Sequence, residues 1–174
     1  SWDKLGLDIS GTQQYEYSGW SVSLSADGTT VAIGSKIYNV TGTNQEGRTR
    51  IYKYNNGTSS WVQLGLDISG NQAYEYSGYS VSLSADGTTV AIGSFTYDKS
   101  GGTTNAGTDE GRIRIYKYNG TSWGQLGLDI SGTQVNEQSG HSVSLSSDGT
   151  TVAIGSFGYD VSGVNEGRTR IYKY

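Results

Sequence analysis

The sequence predicts an all-β repeat protein, and three observations carry that prediction. One unit of 59 to 62 residues is written three times, side chains alternate with a period of two inside each unit, and no stretch has a helical period. The unit boundaries are read from Trp2, Trp61 and Trp123, each opening the run SerTrpxxLeuGlyLeuAspIleSerGly, so the repeats cover approximately residues 1–59, 60–121 and 122–174. The copies differ chiefly in one loop, residues 35–47, 94–111 and 156–167, where length also changes. Such variation marks a surface segment.

Each unit is read as four strands. Residues 2–9 form the first strand of the chain, equivalent to 61–68, where Val62, Leu64, Leu66 and Ile68 face one way and Gln63, Gly65 and Asp67 the other. Val22 and Leu24 then alternate with Ser21, Ser23 and Ser25; Asp27-Gly28 supplies a tight turn; Val31 and Ile33 resume the alternation. A further strand spans Arg48 to Tyr54, and Asn56-Gly57 turns it into the strand at Trp61. Four short antiparallel strands per unit suit the blade of a β-propeller, with three blades in this chain. The chain opens on a fourth strand without a third before it and closes on a third without a fourth after it. Residues 2–9 are therefore expected to complete a last blade by strand exchange. A ring needs about four to eight blades, so a second chain closing a six-bladed ring, or flanking repeats of a longer parent, would complete it. The β-trefoil and β-prism, also threefold, are the alternative.

Composition narrows the function. The absence of Cys removes disulfides, thiolate metal sites and Cys nucleophiles, and the single His141 removes a multi-histidine metal centre. A net charge of −4 argues against a nucleic-acid partner, and no apolar run is long enough for membrane insertion.

The run SerGly(Trp/Tyr/His)SerVal, SerLeuSer(Ala/Ser)AspGly, ValAlaIleGlySer, a polar loop and GlyArgxArgIleTyrLysTyr resembles the FG-GAP repeat of integrin-α-like propellers, and more closely its bacterial and algal variants. The resemblance covers the whole chain. It implies a propeller fold, an extracellular or cell-surface location and a non-enzymatic scaffold, adhesion or interaction role. The Phe-Gly signature stands here as Ser18-Gly19, Ser77-Gly78 and Ser139-Gly140. The integrin-type calcium loop is cut to Asp27-Gly28, Asp86-Gly87 and Asp148-Gly149, too few oxygens for a calcium cage.

Candidate site residues follow from residue type. Trp2, Trp61 and Trp123 beside Arg50, Arg114 and Arg170 could hold a glycan by stacking and directed hydrogen bonds, which makes a lectin with one site per repeat the alternative function; packing of the rings is the competing reading. A glycan or a cell-surface protein is the corresponding partner, besides self-association. No cofactor is expected. Calcium is the one ion the variable loops could take, through Asp98, Asp109 and Glu110 or Asp160 and Glu166, with a solvated acidic loop preferred. The strand arginines are expected to pair with Glu46, Glu110 and Glu166, the acids just before them, or with a neighbouring blade. Trp20, Tyr79 and His141 occupy one equivalent position and differ in each copy, which places them at a rim. Asp8, Asp67 and Asp129, like Glu16, Glu75 and Glu137, recur identically, so no enzyme is expected: an active site is one asymmetric constellation.

Overall fold

The computed structural model describes residues 1–42, 44–101 and 107–174. Among them there is no helix, and the strands fall into three antiparallel sheets, as the period-two alternation requires. The first contains β1 (Ser18–Leu24), β2 (Thr30–Ser35), β3 (Arg48–Asn55) and β4 (Ser60–Gln63) in that order, with β5 (Ile68–Ser69) also beside β3. The second repeats it with β6 (Ser80–Leu83), β7 (Thr89–Ser94), β8 (Arg112–Tyr118), β9 (Trp123–Gln125) and β10 (Ile130–Ser131). The third has β11 (Ser139–Leu145), β12 (Thr151–Ser156) and β13 (Arg168–Lys173).

The Asp-Gly turns are longer than a two-residue hairpin. Ser25 and Thr30 close the loop through Ser25 N–H to Thr30 O at 2.9 Å, and Asp27 Oδ1 accepts from Ser25 Oγ at 2.6 Å and Thr29 N at 2.9 Å. These are Asx-type turns in which the carboxylate takes the place of a backbone acceptor. Two other expectations are corrected. The strand at 61–68 is broken into β4 and β5, because Gly65 adopts a left-handed φ of 74° between them. Residues 2–9 form no strand within one chain, because none of the described strands pairs with them.

The sheets stack in chain order, with β6 against β1 and β2, and β11 against β6 and β7. Two core clusters lie in these junctions: Ala32 and Ile51 meet Val81 and Leu83, then Ala91 and Ile115 meet Val143 and Leu145; a third, Val31, Ile33 and Tyr52 with Ile9 and Trp61, belongs to the first sheet. Backbones touch there. A Cβ on Gly34 would stand 2.0 Å from Gly78 O, so neither junction could close at this distance with a larger residue.

Candidate functional site

Charged residues are handled the same way in every repeat. The Glu16 carboxylate accepts from the backbone N–H of Thr12 at 2.7 Å and Gln13 at 2.8 Å, and from Arg48 Nη2 at 3.0 Å, with Arg50 Nη2 at 3.5 Å. Glu75 receives Arg112 at 2.7 Å and Arg114 at 3.2 Å; Glu137 receives Arg168 at 2.8 Å and Arg170 at 3.2 Å. Burial pushes the Glu16 carboxyl up, but the two backbone donors and the Arg48 guanidinium outweigh it and hold it at about 2. The outer face of each first arginine lies over a tyrosine ring, 3.7 Å from Tyr38, 3.9 Å from Tyr97 and 3.8 Å from Tyr159. The expected partners Glu46 and Glu166 are not used for this. Glu46 closes its own loop by accepting from Val40 N and Thr41 Oγ1, and Glu166 does so through Val161 N and Ser162 N. The signal for the true partner was the ThrGlnxxGlu or AsnGlnxxGlu spacing, which bends the chain so that its own N–H groups meet the carboxylate.

The sequence-derived ligand residues are engaged in packing. Arg50 and Arg114 are buried and donate to the carbonyls of Ser10 and Ser69; Arg170 donates to Ser131 O. Trp61 Nε1 donates to Leu5 O and Trp123 Nε1 to Leu64 O, with the rings 5.3 and 5.2 Å from Tyr54 and Tyr118. Trp2 is fully exposed. In the variable loops, Asp98 Oδ1 accepts from Thr108 N at 2.6 Å and Asp109 N at 2.7 Å, Glu110 accepts from Lys99 N and Thr108 Oγ1, and Asp160 accepts from Asn165 N. Burial, and then the Asp98 charge, push the Asp109 carboxyl up. Among the described residues no cluster of three or more His, Cys, Asp or Glu is gathered for a metal ion.

The divergent position behaves differently. In the 18-residue hairpins 18–35, 77–94 and 139–156, only two positions change between copies, and one of them carries Trp20, Tyr79 or His141. A bulge between Ser18 and Ser21, and again between Ser139 and Ser142, turns this position out at the strand end. The glycine before it has a φ of 87°, 85° or 89° at Gly19, Gly78 and Gly140. The outward turn brings the three rings side by side: Trp20 to Tyr79 is 5.6 Å between centroids and Tyr79 to His141 is 5.0 Å. The residue after each second strand joins them, with Phe95 4.2 Å from Tyr79 and Phe157 4.7 Å from His141. In the first copy that residue is Lys36, whose Nζ stands 3.1 Å from the Trp20 ring centroid. Tyr79 Oη and His141 Nε2 are 3.2 Å apart. Burial lowers the pKa of both Lys36 and His141, which leaves the imidazole neutral at pH 7. The row is therefore one asymmetric surface holding aromatic faces, a cation, a phenol and a neutral base.

No protein-family model and no curated protein matches the chain. Solved structures do. A Bacteroides uniformis protein assigned as a 6-phosphogluconolactonase aligns with a TM-score of 0.53 and 14% identity over 88% of this chain and 36% of its own. The periplasmic gluconolactonase of Pseudomonas aeruginosa aligns with a TM-score of 0.53 and 15% identity over 96% of this chain and 41% of its own. The chain thus spans well under half of either. At such identity the likeness bears on the all-β fold. It overturns the expected function, a non-enzymatic scaffold or adhesion module with a one-site-per-repeat lectin as alternative. The folds it resembles belong to lactonases, and the repeated Trp and Arg that a lectin would present are spent on packing, Trp2 apart.

Proposed function

We propose that the chain is a three-blade unit of a β-propeller and that the ring row is the site of a small cyclic ester, of the sugar-lactone class, held for hydrolysis. One observation carries the reading: where near-identical hairpins diverge into three different rings, those rings stand in contact as a single row. An asymmetric substrate needs unlike groups converging. The fold likeness to two lactonases supports the same class of ligand. A propeller is preferred to a trefoil or prism because the three sheets stack in chain order with both end faces open. Kinship of the repeat to FG-GAP units and a location outside the cell are proposed with it.

In this reading Trp20 and Tyr79 offer their faces to the C–H edges of the ligand ring. Lys36 carries positive charge toward the ester carbonyl oxygen, where negative charge grows as water adds. Neutral His141 takes the proton of the attacking water. The water oxygen bonds to the carbonyl carbon, the ring C–O bond breaks, and the departing alkoxide takes the proton back from His141 to leave an open hydroxy acid. The competing proposal, drawn from the repeated carboxylates, is that the blades carry no catalysis.

The test is acid release from gluconolactone at neutral pH above its spontaneous rate, with ligand-induced shifts of the ring resonances followed in parallel. Acceleration that His141→Gln removes supports hydrolysis. Ring shifts without acceleration support the non-catalytic proposal, and neither effect rejects the site.

A further inference from the structure

The two internal junctions repeat one set of contacts. Ser21 Oγ donates to Gly78 O at 2.8 Å and Ser80 Oγ to Gly140 O at 2.7 Å; Ser77 N donates to Glu46 O at 2.9 Å and Ser139 N to Glu110 O at 3.0 Å. Each completed sheet also carries an outer segment. Tyr54 lies opposite Trp61 and Tyr118 opposite Trp123, while Arg48 pairs with Asp67 at 2.6 Å and Arg112 with Asp129 at 2.9 Å.

The third sheet has the acceptor half of this junction and nothing on it. β13 has no fourth strand, and Arg168 meets Glu137 and Thr133 but no aspartate among the described residues. Beside it lies an apolar cleft of about 180 Å³, lined by Leu126, Gly127, Tyr172 and Tyr174. The corresponding place in the second sheet is filled: the Trp123 indole donates to Leu64 O and rests against Gly65. The first sheet has the matching donor half, also uncovered. Trp2 is fully exposed, and Val22 and Leu24 are 63% and 59% exposed where their equivalents Val81 and Leu83 are 9% and 7%. Asp8, the equivalent of Asp67, is 81% exposed and meets only Lys4.

We infer that a second copy of this chain joins these two halves, the Trp2 indole of each copy filling the cleft at Leu126 and Tyr174 of the other and Asp8 pairing with Arg168, so that two chains close a ring of six repeats. The near identity of the repeats is what commits the face to another copy: the uncovered halves have the residues that already fit each other twice within one chain. Charge agrees, because Asp8 supplies the acid that Arg168 lacks and that Arg48 and Arg112 both have. A contact of donor half to acceptor half grows without end unless its rotation closes, and two copies with two such contacts form a closed twofold pair. The inference does not depend on what the ring row binds.

The experiment is the native mass of the 174-residue polypeptide by light scattering across a concentration series. Twice the mass of one chain is expected; a monomer at every concentration, or open-ended polymers, would overturn the closed pair. Trp2→Ala removes the buried ring from both contacts and weakens pairing by about 100-fold or more. Asp8→Lys sets like charges together and weakens it by about tenfold or more. Trp2 is fully exposed and Asp8 makes only a solvent-exposed ion pair with Lys4, so the monomer's melting temperature changes little. If pairing is unaffected by both variants, the assigned contacts are wrong. A geometric check uses Asp3→Cys with Lys173→Cys, positions matched by the Lys117–Gly124 pair, in a chain that has no other cysteine. Oxidation yields a covalent dimer if the register is right, and monomer only if it is not.

Discussion

The Glu–Arg–Arg clusters and the ring row are both built from one equivalent position per repeat, yet the first is copied three times and the second changes every time. Glu16, Glu75 and Glu137 sit at less than 3% exposure with the same two arginines and the same backbone donors. Trp20, Tyr79 and His141 each follow a left-handed glycine, with a bulge beside Trp20 and His141, but differ in ring, polarity and charge. The contrast marks where a repeat protein keeps its fold and where it is free. A buried carboxylate surrounded by guanidinium groups and N–H donors can change only at great cost, whereas a side chain turned out at a strand end can be altered without disturbing the sheet.

The largest test of that contrast is Glu75→Gln, which leaves Arg112 and Arg114 facing each other without an acid in a buried site. It should cost about 3–5 kcal/mol and lower the melting temperature by about 10 °C, as read by calorimetry. Glu137→Gln should cost about half as much, because the side chains of Arg168 and Arg170 are 22% and 16% exposed against 3% and 7% for the second cluster. Equal losses would mean that burial is not what makes the cluster strong.

Acid reads the first and third clusters without mutation. Glu16 has a carboxyl at about 2 in the fold against 4.5 ordinarily, and that of Glu137 is also lowered, burial being outweighed by Thr133 N and the arginines. A lowered carboxylate pKa stabilises the fold fully above the unfolded value, and that part is lost as pH falls from about 4.5 toward 2. Denaturant midpoints measured between pH 6 and 2 should fall through this window, and Glu16→Gln should flatten the fall. The smallest structural effect is expected at the row. Trp20→Ala and His141→Gln should each move the melting temperature by no more than about 3 °C, while Trp20→Ala weakens and His141→Gln abolishes the response to gluconolactone. A large loss of stability at either position would place the row with the structural clusters instead.

The repeats, the strand content and the position of the Asp-Gly turns were legible because they are local: alternation needs only neighbours two apart, and an Asx turn is closed by residues within the turn. The partner of Arg48 was not. Glu46 is two residues away in sequence, but its carboxylate is taken by the loop's own N–H groups, and the acids that reach the guanidinium, Glu16 and Asp67, are 32 and 19 residues away. The strand expected at 2–9 shows the same limit. Its pattern matches 61–68, but a strand exists only where another strand supplies hydrogen bonds, and among the described residues none pairs with 2–9.

From its own order of residues the protein determined three copies of an antiparallel unit, the faces its strands turn inward, and the one hairpin position that varies. Only tertiary structure decided that Glu16, Glu75 and Glu137 collect the arginines, that the three varying rings meet in one row, and that the first and last sheets leave matching halves uncovered. The physical reason is that alternation along a strand selects a face, while what that face meets depends on how one sheet stacks on the next, and that stacking is set by backbone approach at glycines and by buried charge far apart in the chain.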